Sequence, residues 1–237
     1  MAVHQMSWGV LGFLVASVAC SPAGRAQSGL NTLTAAERDA GWRLLFDGRT
    51  TDGWRGYHMD SMPSGWKVVE AALTRVGEGG DIMTREQFAN FELMLEWKIA
   101  PGGNSGIIYR VTEEYDYSYK SGPEMQVLDD AAHEDAQSRL TAAGSNYALY
   151  PAPAGVVKPA GEWNLVRLVV NRNHVEHWLN GQKVVEYELM SPDWETRVKQ
   201  SKFVEWPNYG RATQGHIALQ DHGDQVAYRN IKIQVLN

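Results

Sequence analysis

A single cysteine, Cys20, among 237 residues leaves no partner for an internal disulfide, so the fold must be held by burial alone. Blocks of like charge are missing too. Twenty-two Lys and Arg are interspersed with 28 Asp and Glu for a net charge of −6, which excludes the basic footprint of a nucleic-acid binder. No supersecondary repeat recurs, and beyond the short Pro/Ala/Gly segment Pro151 to Gly161 there is no low-complexity tract. Helical patterns are confined to two short stretches, and strands never alternate with helices, which excludes a parallel α/β architecture. One long apolar run exists, Trp8 to Ala19, suited to the core of a signal peptide and too short to span a bilayer comfortably.

That run sets the domain organisation. Residues 1–26 are expected to be an export segment, since Gly24-Arg25-Ala26 offers small residues at a cleavage site and would leave Gln27 first. Cys20 after Ser17-Val18-Ala19 also resembles a bacterial lipoprotein signal, with Ser17 where that pattern usually has Leu. Both readings send the protein out of the cytoplasm, to the periplasm or the envelope, with membrane contact only through an acylated Cys20. Residues 27–40 read as a linker with a short helix, Thr34 and Glu37 forming a capping box and Gly41 stopping it. Residues 41–237 remain as one domain.

Strand signals fill that domain. Trp42–Phe46, Trp66–Glu70, Ala72–Val76, Phe91–Ile99, Gly106–Val111, Met125–Leu128, Asn164–Val170, Val175–Leu179, Gln182–Tyr187, His216–Gln220 and Val226–Val235 combine alternation with β-branched and aromatic residues. Asn180-Gly181 between two such runs predicts a tight hairpin. Ser191 and Pro192 open a surface helix running to about Ser201. Nine Trp and ten Tyr serve as core or as platforms for sugar faces. The expectation is an all-β sandwich of two antiparallel sheets with minor surface helices and a concave surface for a ligand.

Three constellations carry candidate chemistry. In Glu124-Met125-Gln126-Val127-Leu128-Asp129, Glu124 and Gln126 share a strand face, and Asp129 joins them only through a bulge. The spacing is similar to the Glu-x-Asp-x-x-Glu strand of concanavalin-like glucanases, with Gln and Asp at the second and third positions here. A solvated edge strand would carry the same residues. In Pro101 to Arg110, glycines allow a turn from which Asn104, Ser105 and Arg110 offer hydrogen bonds, although such turns usually satisfy their own backbone. Among the histidines, His177 shares a face with Val175 and Leu179, as core histidines do. His222, in the polar Gln220-Asp221-His222-Gly223 connection, is better placed for proton transfer. No histidine pair has zinc-ligand spacing, whereas a divalent cation such as calcium stays open because its oxygen ligands need no fixed spacing.

Gly41-Trp42-Arg43-Leu44-Leu45-Phe46-Asp47-Gly48, Trp54, Gly103-Asn104-Ser105-Gly106, Glu124 to Asp129, Gly161-Glu162-Trp163-Asn164, His177-Trp178-Leu179-Asn180-Gly181 and Ala218 to Gly223 occur in that order. This series resembles the 3-keto-disaccharide hydrolase family of 3-keto-glucoside 1,2-lyase and 3-keto-2-hydroxy-glucal hydratase domains. The resemblance implies a concanavalin A-like jelly roll and a keto-sugar substrate. A C3 ketone acidifies the C2 hydrogen, so a base removes it, the C1 substituent leaves, and water adds back to complete a net hydrolysis. On this reading Glu124 and His222 are the acid/base candidates, and Asn104, Arg110, Gln126, Asp129, His177 and Gln220 are candidate substrate contacts. A glucanase-like hydrolase acting on an unoxidised sugar and a non-catalytic carbohydrate-binding module are the alternatives.

Overall fold

Alternation along the longest strands decides how the chain layers. From Phe91 to Ile99 every odd position is buried, while Glu92, Met94, Glu96 and Lys98 face outward, which is the pattern of a strand with one face on a core. The outward charges are matched across the sheet, Glu92 by Arg167 and Glu96 by Arg229, each at 2.6 Å. The computed structural model describes residues 1–2 and 29–237. The expected export segment, Cys20 included, lies outside the described residues but for its first two.

The larger sheet runs β11 (Gln182–Glu188), β10 (His174–Leu179), β9 (Asn164–Asn171), β6 (Phe91–Ile99), β13 (Val226–Val235), β4 (Ala72–Arg75) and β3 (Trp66–Val69), and β1 (Trp42–Leu44) also pairs with β13. The smaller runs β2 (Trp54–Gly56), β5 (Ile82–Thr84), β12 (His216–Leu219), β7 (Asn104–Val111) and β8 (Glu124–Leu128). All pairings are antiparallel. The two sheets enclose Phe91, Leu93, Trp97, Tyr109, Val127, Ile217, Ile233 and their neighbours, and each such large side chain contributes on the order of 1.5–3 kcal/mol by leaving water. This is the jelly-roll sandwich expected from the sequence.

The local signals have physical counterparts. Thr34 accepts from the Glu37 amide and Glu37 reaches back to Thr34 around α1 (Ala35–Asp39). Ser191 caps α2 (Pro192–Gln200) by accepting from the Trp194 amide at 3.2 Å. Asn180 and Gly181 take φ of 51° and 85°, the left-handed pair that a two-residue hairpin requires. The short strands β2 and β5 were not anticipated, because three residues beside glycine and aspartate carry too little alternation to register.

The smaller sheet is buried on both faces, β7 and β8 at every position. Its inner face joins the main core. Its outer face carries a second apolar cluster of Tyr57, Met83, Ile108, Val111 and Ala218, with Tyr119 packed against it. Loops therefore cover that outer face, and Asn104 of β7 with Glu124 and Gln126 of β8 lies beneath them.

A polar thread runs between the sheets at His177. His177, expected as a substrate contact, is 0% exposed there. Its Nδ1 donates to the Gly144 carbonyl at 3.1 Å, and Nε2 accepts from the Tyr109 hydroxyl at 3.0 Å. Burial lowers its pKa from 6.5 to about 4, so it is neutral when folded. The unfolded chain then takes up a proton that the folded chain refuses. Stability present above pH ~6.5 should be lost as pH falls through ~4, by at most about 3 kcal/mol. His177→Gln keeps a donor and an acceptor without the titration, so urea midpoints compared at pH 7 and pH 4.5 should fall less in this variant than in the wild type.

Candidate active site

Register fixes which side chains reach the covered face. Ile108 pairs with Glu124, Gly106 with Gln126 and Asn104 with Leu128, with no shift between β7 and β8. Glu124, Gln126, Asn104 and Gly106 consequently share the outer face. Gln220, whose amide donates to the Gly106 carbonyl at 3.0 Å, continues it from β12. A Cβ on Gly106 would stand 2.2 Å from Glu124 Oε1, so the carboxyl lies flat over that glycine.

Glu124 is 4% exposed, and its carboxyl has no hydrogen-bond partner among the described residues. Burial raises its pKa from 4.5 to about 8; the Lys202 charge opposes this, and Asp81 and Asp135 add to it. The acid is therefore largely protonated at neutral pH. Such a group is costly to keep unless it acts on something. Two neighbouring amides have one end free: the Asn104 NH2 donates to Asp135 at 3.4 Å and the Gln126 NH2 to the Thr141 carbonyl at 3.1 Å, leaving Asn104 Oδ1 and Gln126 Oε1 buried without partners among the described residues.

Two further loops complete the site. Asp81, after Gly80 and just before β5, accepts from the Ser118 hydroxyl and from the Asp221 amide, the latter at 2.8 Å, and burial raises its pKa. Asp221 in turn pins the 79–80 and 221–223 turns together through Gly79, Gly80, Gly223 and Arg75. That pinning sets His222 beside Asp81, whose charge it acts on, with its ring centre 6.4 Å from that of His133. His133 Nδ1 accepts from the Asp135 amide at 3.1 Å, which ties the histidines back to Asn104. Tyr147 is half-buried beside Asp135 and Glu124, and its amide donates to the Glu124 carbonyl at 3.0 Å.

Three expected contacts fall elsewhere. Arg110 takes φ of 55°, which turns it off the outer face; its guanidinium is 2% exposed and donates to the carbonyls of Ala89 and Arg172. Asp129, without the bulge that would bring it round, accepts from the Gly102 amide at 2.8 Å and the Ala131 amide at 3.1 Å, and serves as a turn cap. His177 belongs to the core. Asp81, Asp135, Tyr147 and Lys202 were not singled out in the sequence, since they come from loops with no shared pattern.

Openings of about 350 Å³ beside Asp47 and about 380 Å³ beside Glu113 are less suited to chemistry. Their carboxylates are already matched, Asp47 by the Arg49 and Thr50 amides and Glu113 by Arg55. Among the described residues, His174, Glu176 and Glu186 bring ligand atoms within 4.8 Å of one another. They sit on β10 and β11 in the other sheet, where Lys183 already pairs with both carboxylates, so they read as a surface ion-pair network.

The profile of the 3-keto-alpha-glucoside-1,2-lyase-like domain matches residues 41–234. A 3-keto-disaccharide hydrolase of Bacteroides thetaiotaomicron is 36% identical over 87% of this chain and 85% of its own length. A crystal structure from Parabacteroides distasonis, provisionally named a glycosyl hydrolase, is 34% identical with a TM-score of 0.82, covering 88% of this chain and 100% of that one. Another from the same organism, named in the same way, is 28% identical with a TM-score of 0.66, covering 82% and 99%. The sandwich, the order of the motifs and a profile match across nearly the whole domain lead to one conclusion: this chain belongs to the 3-keto-alpha-glucoside-1,2-lyase-like domain family.

Proposed function

We propose that this glycoside-cleaving enzyme acts on 3-keto-glycosides by C2 proton abstraction, elimination at C1 and rehydration, with Glu124 as general acid. The observation that carries the reading is the Glu124 carboxyl, buried, unpartnered and held protonated at neutral pH. Direct displacement at C1 by two carboxylates is less well served, because Asp129 is occupied by backbone amides. The name of the Bacteroides relative supplies the substrate class, a 3-keto disaccharide.

His222, exposed and beside Asp81, is our candidate to take the C2 proton, and Glu124 delivers its own to the leaving glycosidic oxygen. During hydration the roles reverse: the Glu124 carboxylate activates water for C1, and the histidine returns a proton to C2. Asn104 Oδ1 and Gln126 Oε1 are free to accept hydrogen bonds from sugar hydroxyls, and Gln220 borders the same face.

The test is to follow aglycone release from matched 3-keto and unoxidised glucosides in D2O. The reading expects release from the keto substrate alone, with deuterium at C2 of the product above a protein-free control. Equal rates on both substrates, or an unlabelled C2, would return the protein to the glucanase reading. Export is part of the proposal as well: envelope protein should begin at about Gln27 or at an acylated Cys20, and an intact Met1 found there by mass spectrometry would contradict it.

A further inference from the structure

The reaction proposed above leaves one requirement unmet. Removing the C2 proton places its bonding pair between C2 and C3 and moves the carbonyl π pair onto O3, so a donor or cation is needed at that oxygen. Among the side chains singled out in the sequence, Gln220 brings only a neutral amide to this face, and none brings a cation. Asn104 and Gln126 have given their NH2 groups to a carboxylate and a carbonyl, acceptors that oblige the nitrogen to face them, so the free atom in each is oxygen. Arg110 is turned onto backbone carbonyls.

Lys202 has the needed chemistry. It opens the turn that follows α2, where the Ser201 hydroxyl accepts from the Phe203 amide at 3.2 Å. Phe203 is buried and stacked on Tyr209 with ring centres 3.9 Å apart, which fixes the root of the lysine. Its Nζ lies 4.5 Å from the ring centre of Tyr147 and 5.2 Å from that of Tyr119. None of the ion pairs among the described residues uses it. Tyr147 is tied by its amide to the Glu124 carbonyl, and Tyr119 packs on the cluster containing Ile108, the residue paired with Glu124. The two rings therefore hold the ammonium at the edge of the strand that carries the acid. Of the charges that act on Glu124, that of Lys202 ranks first. Lys202 and Tyr147 also line an open cavity of about 370 Å³ together with Leu140, Leu149 and Arg197; Glu124 is not part of that lining, so the cavity shows only that the ammonium is open to solvent.

We propose that Lys202 is a catalytic residue that donates from Nζ to O3 of the 3-keto sugar and carries the charge that develops there on C2 deprotonation. On elimination the O3 pair returns to the carbonyl and the C2–C3 pair moves to C1–C2. The C1–O bond then breaks with its electrons on the leaving oxygen, which Glu124 protonates. The assignment rests on the elimination reading, and its test separates the two.

C2 hydrogen exchange in D2O isolates the deprotonation from bond cleavage. With the wild type exchanging, Lys202→Met should lower both exchange and kcat at least about a hundredfold, with KM changed by less than about threefold. Lys202→Arg, which keeps a cationic donor, should recover at least about tenfold of that loss, a rescue that mere packing would not produce. Comparing both variants at matched thermal stability removes folding from the comparison. Wild-type exchange with undiminished exchange in Lys202→Met overturns the lysine assignment alone, as does a loss confined to KM. Absence of exchange in the wild type overturns the elimination reading and the lysine with it.

Discussion

Glu124→Gln should lower turnover of a 3-keto disaccharide at least about a hundredfold, within the range that general acid/base groups supply, while C2 exchange persists. The amide keeps the size and hydrogen-bonding capacity of the acid but has no proton to give to a departing sugar. Replacing that sugar with an activated phenol, which leaves without protonation, should restore much of the rate. Were Glu124 instead the base at C2, exchange would disappear and no leaving group would restore it. A variant that cleaves the disaccharide at the wild-type rate would remove Glu124 from the mechanism altogether.

The same substitution carries a stability signature of opposite sense. Burial raises the folded-state pKa to about 8 from 4.5, so the folded chain holds a proton that the unfolded chain releases. Stability contributed by this group is complete below pH ~4.5 and is lost as pH rises through ~8, by at most about 5 kcal/mol. Gln at this position never ionises. The melting temperature of Glu124→Gln should therefore exceed that of the wild type by a margin that widens from pH 5 to pH 9, and a constant margin would contradict the raised pKa. Loss of turnover with a gain in alkaline stability is the expected behaviour of a carboxyl kept buried for chemistry.

The sandwich was legible because its information is local. Phe91 to Ile99 alternate cleanly, Asn180-Gly181 dictates its own backbone geometry, and Thr34 with Glu37 forms a cap from four consecutive residues. The shared face of Glu124 and Gln126 was legible as well, since side chains two apart lie on one side of a strand. What could not be read is long-range. Asp81, just before β5, and Lys202, just after α2, both act on Glu124 by their charge although they are far from it in sequence, and nothing near either residue marks that meeting. Arg110 looked available until a positive φ rotated it inward, and Asp129 until the Gly102 amide occupied it. Donor-rich side chains are readable from a sequence; whether the backbone has already claimed them is not.

Gly106 is the instance where a local signal was present and read differently. The segment through Asn104-Ser105-Gly106 was read as a turn leading into a strand from Gly106, yet all three residues lie within β7. A glycine inside a strand often marks close approach of another group, and here that group is the catalytic candidate: an added Cβ would meet Glu124 Oε1 at 2.2 Å, Cδ at 2.7 Å and Cγ at 2.9 Å. Gly106 is not among the glycines at positive φ, so alanine brings no backbone strain and suits a strand better than glycine. Gly106→Ala should therefore fold with a melting temperature close to that of the wild type, while the carboxyl is pushed aside by the order of 1 Å, a displacement that costs about a hundredfold in rate. Glu124→Asp shortens the side chain by one methylene and gives the new methyl room. In a double-mutant cycle, the loss in Gly106→Ala/Glu124→Asp should be well below the product of the single losses, the non-additivity expected of two side chains competing for one space. Strict additivity, or full activity in Gly106→Ala alone, would show that the carboxyl does not work from its place over this glycine.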